Sequence, residues 1–322
     1  MLDRLRQPWP DQRAERMLGA LACAVLIVIV LMVVFVFKEA WPTFAHNGLK
    51  WLGPGGNVDV QIGKMVNGDE NYHLRAWPLV WGTILTTGLA VVFGLIFAVL
   101  AAIFIVEFAP DRLRAVIVPV VRLLAAVPSV IFGLIGILVL VPFVGNHIVT
   151  AGEKRSVQYV VQLSGASLVV AVVILTVMIV PIMIAIIVDA LYAVPRGWKE
   201  GAVALGVNRW RAMWTVSVRA ARPAIIAAVV LATARALGEA IMLSMVSGSV
   251  GFAPNPFDGP LFLLEPLRPL ASTIVEDAES LQAPAVRSSV YAFALLLLFS
   301  SLFLSLAGFL AKQPMKKYGV RV

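Results

Sequence analysis

The sequence predicts an all-α membrane protein with six transmembrane helices. Hydrophobic residues make up 60% of its 322 positions and charged residues only 14%, a balance far from that of a soluble domain. Six runs reach the roughly 20 apolar residues that a helix needs to cross a bilayer. None of them alternates between apolar and polar residues as barrel strands do, so helices are the remaining way to span the membrane. The runs cover residues 17–37, 79–106, 116–144, 168–190, 224–246 and 290–311.

The first run follows a basic segment, so a secretory signal peptide is one interpretation and a retained anchor is the other. Its 21 residues exceed the signal-peptide core of about 7–15 residues, which favours the anchor. The only cysteine, Cys23, lies inside this run. No internal disulfide and no cysteine metal site can therefore form.

The net charge of +8 reflects topology rather than nucleic-acid binding, because the basic residues are segregated by loop. Residues 1–16, 107–122, 191–223 and 312–322 hold 17 lysines and arginines, and the alternate set 38–78, 145–167 and 247–289 holds 8. Basic loops stay in the cytoplasm, so both termini are predicted to be cytoplasmic. The even number of spans agrees with this.

The loops between the runs are too short to fold as separate domains, so residues 1–322 are predicted to form one membrane domain. The loop 38–78 is rich in turn residues, and 251–270 contains five prolines. Both loops are predicted to lie outside the cell. Contact with an external partner and a plain connecting role are equally compatible with their composition.

The fifth run carries alanine at every fourth position, which makes one smooth ridge along a helix. Such a ridge lets two helices pack closely in a membrane. Alanine is also a common filler of apolar helices, but five in register favour close packing. These alanines are Ala224, Ala228, Ala232, Ala236 and Ala240.

The loop 195–222 is predicted to form two short helices. Pro195 can begin the first, and Gly206 can take the left-handed conformation that ends it. Asn208 can then cap a second helix. Apolar residues share a face at helical spacing, which suits docking in a groove of another protein but also suits lying in the lipid headgroups. These residues are Trp198, Ala202 and Leu205 in the first helix, and Trp210, Met213 and Trp214 in the second.

Within this loop, Glu200-Gly201-Ala202 and Gly206 resemble the EAA coupling loop of ABC importer permeases. The resemblance implies that the loop docks on an ATPase subunit. It assigns this coupling role to Trp198, Glu200, Gly201, Ala202, Leu205 and Gly206. The chain departs from the family pattern at Gly201, where the family has alanine, and at Val216, Val218 and Arg219, where it has isoleucine, leucine and proline.

Further stretches resemble phosphate-importer permeases of the PstC family, and the similarity covers nearly the whole chain. They are "AWPLVWGTILTT", "LLAAVPSVIFGL" and "ARALGEA". The resemblance implies a type I ABC importer bundle and a non-catalytic subunit of the plasma (inner) membrane of a bacterium. It implies a second permease that is a different but homologous chain in a heterodimer, cytoplasmic ATPase subunits and an external phosphate-binding protein. ATP and magnesium would be bound by the partner ATPase.

Arg235 and Glu239 lie four positions apart within the fifth run. A central arginine costs about 2.5–3.5 kcal/mol in lipid, so both should face protein or a water-filled passage. On one helix face they could pair. One interpretation is an anion pathway, in which the guanidinium binds phosphate oxygens and the carboxylate prevents too tight a complex. The other is a structural pair that fixes the helix. The family resemblance favours the pathway.

Three further features of the sequence bear on function. Pro128 predicts a kink within the third run, with Ser129 able to satisfy a freed backbone group, either as a static bend or as a hinge for gating. His46, His73 and His147 have no spacing that gathers metal ligands. The segment around Gly63 and Lys64 lacks the pattern of an ATP-binding loop.

Three alternative functions stay open at the level of the sequence. A permease for another oxyanion, such as sulfate or molybdate, would look similar because a binding protein can choose the substrate. An ion-driven secondary carrier or channel would use Arg235 and Glu239 without an ATPase. A membrane sensor of phosphate status could report through the cytoplasmic loops.

Overall fold

The computed structural model describes residues 12–68, 74–156 and 162–312. Within these ranges the chain is helical and has no strand, apart from one isolated bridge between Gly248 and Leu267. Six helical segments are long and apolar enough to cross a membrane, which confirms the predicted fold class. They are span 1 (Glu15–Asn47), span 2 (Trp77–Phe108), span 3 (Ser129–Ile148), span 4 (Leu168–Tyr192), span 5 (Arg209–Leu237) and span 6 (Pro284–Ala311).

Several spans combine α-helix with π-helical turns. The α-helices are α1 (Gln12–Asn47), α2 (Val58–Val66), α3 (Trp77–Ile103), α4 (Asp111–Ala125), α5 (Ser129–Ile135), α6 (Val141–Phe143), α7 (Ala151–Ser156), α8 (Leu168–Tyr192), α9 (Arg196–Ala204), α10 (Arg209–Ala212), α11 (Val218–Leu237), α12 (Ile241–Val246), α13 (Leu270–Glu276) and α14 (Pro284–Lys312). The π-helical turns Phe104–Phe108, Gly136–Leu140, Val144–Ile148 and Met213–Ser217 extend or join them.

Span 4 lies at the centre of the bundle. The most apolar stretch of α8 is 67% buried, whereas that of span 1 is 0% buried. α3, α4 and α11 pack around α8. A Cβ on Gly94 of α3 would lie 3.3 Å from the side chain of Ile179, so the two backbones approach closely through small residues. The buried small residues of α3 recur at every fourth position, at Ala90, Gly94, Ala98 and Ala102.

The alanine ridge of the fifth span is buried over four of its five predicted positions. Ala224 is 8% exposed, and Ala228, Ala232 and Ala236 are at most 1% exposed. The last three belong to the same core cluster as the buried side chains of α8. Ala240 does not continue the ridge, because α11 ends at Leu237.

The third span differs from the prediction of one kinked helix over 116–144. The chain is interrupted before Pro128, whose extended backbone (φ −59°, ψ 136°) separates α4 from α5. Proline has no N–H to continue a helix and disfavours helical geometry in the residue before it. Val127 instead closes α4 with a turn bond to Leu124 O at 3.2 Å. Pro128 is thus a break, and Ser129 is the first residue of α5.

The fifth span also differs from its predicted limits of 224–246. It begins earlier, at Arg209, because α10, a π-helical turn and α11 are continuous. It ends at Leu237, and Gly238 closes the helix with a bond to Ala234 O at 3.3 Å. Glycine is a poor helix former. Glu239 therefore lies between α11 and α12 rather than inside a helix.

Spans 1 and 6 pack against each other through a polar contact. The hydroxyls of Thr43 and Ser288 lie 2.7 Å apart, and the Thr43 N–H donates to Ser288 Oγ at 3.0 Å. Arg287 and Glu39 form an ion pair nearby, with Nε 3.3 Å from Oε2. Most of the remaining surface of α1 is exposed, including Cys23. Residues 1–11 and 313–322, which hold both termini, lie outside the described residues.

Candidate functional site

The helical elbow consists of α9 and the turn that joins it to span 5. α9 follows Pro195, whose backbone is extended (φ −57°, ψ 127°). It ends at Ala204, and Gly206, two residues later, has the predicted left-handed backbone (φ +85°). The N–H of Gly206 donates to Val203 O at 2.9 Å, and that of Val207 donates to Ala202 O at 3.2 Å. These two bonds are the expected closure of a helix by glycine.

Asn208 caps the second helix, as the sequence predicts. Its Oδ1 accepts the backbone N–H of Arg211 at 2.7 Å. The second helix, however, is not a separate short one. α10 runs through the π-helical turn Met213–Ser217 into α11, so the elbow is joined directly to span 5. One short turn therefore connects α9 to this span.

α9 is exposed on the surface of the chain and has no buried residue. Leu205 is 87% exposed, Trp198 47% and Val203 42%. Ala202 is half-buried, while Glu200, Gly201 and Gly206 are exposed. Apart from the local backbone, no described residue lies within 4 Å of the Cβ position at Gly201 or Gly206. The apolar and acidic side chains of the elbow are therefore exposed and are not covered by other described parts of the chain.

A cavity of about 690 Å³ lies between α9 and the ends of spans 2 and 4. One ion pair crosses it. Lys199 Nζ lies 2.6 Å from Oε1 and 2.5 Å from Oε2 of Glu107, which is in the π-helical end of span 2. The side chains of Lys199 and Glu107 are 26% and 10% exposed. No local sequence pattern predicts this contact, because the two residues are 92 positions apart.

Arg235 and Glu239 come close to each other but do not form a hydrogen bond. Arg235 Nε and Glu239 Oε1 are 3.9 Å apart, beyond hydrogen-bonding distance. Arg235 stands two residues before the end of α11, so the prediction that the pair shares one helix face near the middle of a span is wrong. Among the described residues, the buried Nε of Arg235 has no hydrogen-bond partner. Its side chain is 35% exposed and that of Glu239 is 12% exposed.

The break at Glu239 packs beside the break at Pro128. α12, which follows the first break, lies against α5, which follows the second. A Cβ on Gly133 of α5 would lie 3.1 Å from Met242 Cα. A Cβ on Gly136 would lie 2.5 Å from Val246 Cγ1. Glycine is needed at both positions because the two half-helices touch closely there.

A charged cluster lies at the end of the bundle opposite the elbow. Arg268 Nη1 lies 2.8 Å from Asp59 Oδ1, and Arg268 Nη2 lies 2.6 Å from Glu276 Oε2. The buried carboxyl of Asp277 is 3.6 Å from Arg268 Nη1. Ser249 Oγ also donates to Glu276 Oε1 at 2.6 Å. The cluster joins α2 to the proline-rich segment, a contact between residues 209 positions apart that sequence analysis missed.

Asp277→Asn is expected to raise the thermal unfolding midpoint of the detergent-purified protein at pH 7 by about 2 °C. Burial raises the pKa of the Asp277 carboxyl, and Arg268 opposes this only in part. The folded state therefore binds this proton more tightly than the unfolded state, and stability is lost as the pH rises from the ordinary pKa through the raised one. An amide cannot ionise and avoids that loss.

Thermal melts of the purified variants test this expectation. The increase in unfolding midpoint caused by Asp277→Asn should become smaller as the pH is lowered towards the ordinary pKa of the carboxyl. Glu276→Gln is the matched comparison and should lower the midpoint, because it weakens the 2.6 Å contact with Arg268. A lower midpoint for Asp277→Asn at pH 7 would show that its charge stabilises the cluster.

The histidines that the structure describes contact nearby backbone carbonyls, and the glycine-lysine segment is helical. His46 Nδ1 lies 2.7 Å from Pro42 O, and His147 Nδ1 lies 3.3 Å from Phe143 O. His73 lies outside the described residues. Among the residues that are described, no three histidine, cysteine or acidic side chains are grouped as metal ligands would be. Gly63 and Lys64 belong to the helix α2 and not to a phosphate-binding loop.

Comparisons with known proteins place this arrangement in a family. Residues 90–313 match the family described as "Binding-protein-dependent transport system inner membrane component". The probable ABC transporter permease protein YqgH of Bacillus subtilis is 33% identical over 240 residues, covering 74% of this chain and 72% of the relative. The phosphate transport system permease protein PstC 1 of Mycobacterium tuberculosis is 31% identical over 291 residues, covering 86% of this chain and 85% of the relative.

A solved bacterial ABC transporter involved in the import of the acidic polysaccharide alginate has a similar fold. The TM-score is 0.52 at 15% sequence identity, and the match covers 93% of this chain and 97% of that one. The family match includes the elbow, Arg235 and Glu239. The chain therefore belongs to the family of binding-protein-dependent transport system inner membrane components, as a multi-pass ABC importer permease.

Proposed function

We propose that this chain is a permease subunit of an ATP-driven importer of inorganic phosphate. The observation that carries the substrate class is the guanidinium of Arg235, which is partly exposed beside a helix break and makes no hydrogen bond within the described residues. Planar donors of this kind suit phosphate oxygens. Relatives from Mycobacterium tuberculosis and Methanocaldococcus jannaschii that are named phosphate transport permeases support the same substrate.

The carboxylate of Glu239 has a second role in this proposal. Its Oε1 is 3.9 Å from Arg235 Nε, so an arriving anion competes with it for the guanidinium. Competition weakens the complex, and transport requires release as well as binding. A dedicated structural pair would be expected to close to hydrogen-bonding distance, because a buried charge is stabilised by a well-formed contact. The open geometry of this pair therefore favours a pathway.

The elbow is the proposed contact with the energy source. ABC importer permeases work with an ATPase, a substrate-binding protein and a second permease. Here the exposed side chains of Trp198, Glu200 and Leu205 would dock in a groove of the ATPase, which would bind ATP and magnesium. The positive-inside distribution supports a cytoplasmic location for the elbow and for both termini. The second permease is proposed to be a different, homologous chain.

Reconstitution tests the proposal. The complete assembly, purified with its ATPase and second permease and placed in lipid vesicles with the binding protein, is expected to import radiolabelled phosphate only when ATP is supplied. A tenfold excess of unlabelled phosphate should compete, while sulfate and molybdate should not. Competition by sulfate or molybdate instead would identify another oxyanion. Accumulation of phosphate by this chain alone, without the ATPase, would identify an ion-driven carrier and refute the proposal.

A further inference from the structure

α9 lies over the cavity rather than on a packed surface. Its backbone is joined to the end of span 4 through Pro195 and to the start of span 5 through Gly206. Its most extensive packing contacts within the described chain are with α10 and with the π-helical turn Met213–Ser217 of span 5. The cavity of about 690 Å³ separates its middle from the end of span 2. Packing alone therefore provides little contact between α9 and span 2.

The Lys199–Glu107 ion pair bridges this gap. Lys199 stands in the middle of α9, and its ammonium contacts both carboxylate oxygens of Glu107 at 2.5 and 2.6 Å. The side chain of Glu107 is only 10% exposed. Breaking a part-buried pair leaves one charge desolvated and uncompensated, so the two residues resist separation. A pair of this kind can carry force between two elements that do not otherwise pack.

Glu107 belongs to a part of span 2 that is firmly held. Arg114 of α4 donates to three backbone carbonyls around it, those of Ile105 at 2.9 Å, Val106 at 3.0 Å and Ala109 at 3.1 Å. Hydrogen bonds from a charged donor are among the stronger ones in proteins. The π-helical end of span 2 and the start of α4 therefore form one unit. A pull on Glu107 is transmitted to both.

We propose that Lys199 and Glu107 are positioning residues that make the end of span 2 follow the movement of α9. This inference rests on the proposed function, in which α9 receives the movement of an ATPase. Through its two ends α9 acts on spans 4 and 5, and through Lys199 it acts on span 2 and α4. Without the pair, the elbow would move while span 2 stayed behind, and ATP would be hydrolysed without productive opening.

The test measures the ratio of ATP hydrolysed to phosphate imported by the reconstituted assembly. Glu107→Gln and Lys199→Gln are each expected to raise this ratio roughly fivefold or more while the ATPase still copurifies. Asp189→Asn is the matched control. It breaks the Arg122–Asp189 pair, 2.9 Å long and lying between α4 and α8, whose side chains are 58% and 61% exposed. Such an exposed pair contributes little, so the ratio should not change.

A reversible tether separates a mechanical link from a general effect on stability. Cys23, the only cysteine, is replaced by serine, and Glu107 and Lys199 are both replaced by cysteine. Bridging the two thiols with a short bis-methanethiosulfonate reagent should restore the ratio to within about threefold of the parent, and a reductant should abolish this rescue. The inference is overturned if the glutamine variants match Asp189→Asn, or if the tether fails to rescue. Failure of the proposed function looks different, because the parent assembly itself would then show no ATP-driven phosphate uptake.

Discussion

Gly206→Trp is expected to abolish ATP-driven uptake and to prevent the ATPase from copurifying, while the protein remains in the membrane. Gly206 lies in the exposed turn that follows α9, and no described residue other than its chain neighbours lies within 4 Å of its Cβ position. A tryptophan there has open space in the isolated chain, although its backbone must hold the left-handed conformation (φ +85°), and it occupies the surface where the ATPase is proposed to dock. The effect should therefore be on the partner and not on the packing of the bundle. Copurification and vesicle uptake measure it.

Two variants isolate the steric part of this effect. Gly206→Ala imposes the same left-handed backbone on a residue with a Cβ, at a cost of roughly 1–2 kcal/mol, but adds almost no bulk. It should keep the ATPase bound. Gly68→Trp places a tryptophan on another exposed glycine with a left-handed backbone (φ +97°) and open space, far from the elbow. If Gly206→Trp retains the ATPase as fully as these two controls do, docking at the elbow is refuted.

The six spans are predictable because their signal is local. A run of about 20 apolar residues predicts a membrane helix whatever it packs against, and α8 begins at Leu168 as predicted. The two breaks are not predictable in this way. Pro128 can either kink or interrupt a helix, and the apolar residues around it fit both outcomes. The contact of Gly133 with Met242 accompanies the interruption, and these residues are distant in the sequence.

The same distinction holds for the candidate site. Pro195, Gly206 and Asn208 act on their immediate neighbours, so the limits of the elbow follow from the sequence. The contact between Lys199 and Glu107 joins two elements 92 positions apart, and no local pattern marks either residue as a partner of the other. The open Arg235–Glu239 geometry depends on where α11 ends. A spacing of four residues predicts a pair only if both residues are helical.

Arg235→Gln is expected to lower phosphate uptake by the reconstituted assembly roughly 10- to 100-fold, which corresponds to the loss of charge-assisted hydrogen bonds to an anion. The amount of protein in the membrane should not change. The side chain of Arg235 makes no hydrogen bond within the described residues, so the substitution breaks none and removes only the 3.9 Å contact with Glu239. Uptake at limiting and saturating phosphate, with ATPase copurification as a check on assembly, measures the effect.

The neighbouring carboxylate supplies the decisive comparison between a pathway and a structural pair. Glu239→Gln should bind phosphate more tightly and release it more slowly, because the competitor for the guanidinium is gone. A structural pair predicts that each single variant lowers the amount of protein in the membrane and that the double variant Arg235→Gln/Glu239→Gln restores it. A pathway predicts normal amounts throughout and no recovery of uptake in the double variant. Recovery of uptake in the double variant would show that the two charges only compensate each other and do not act on the substrate.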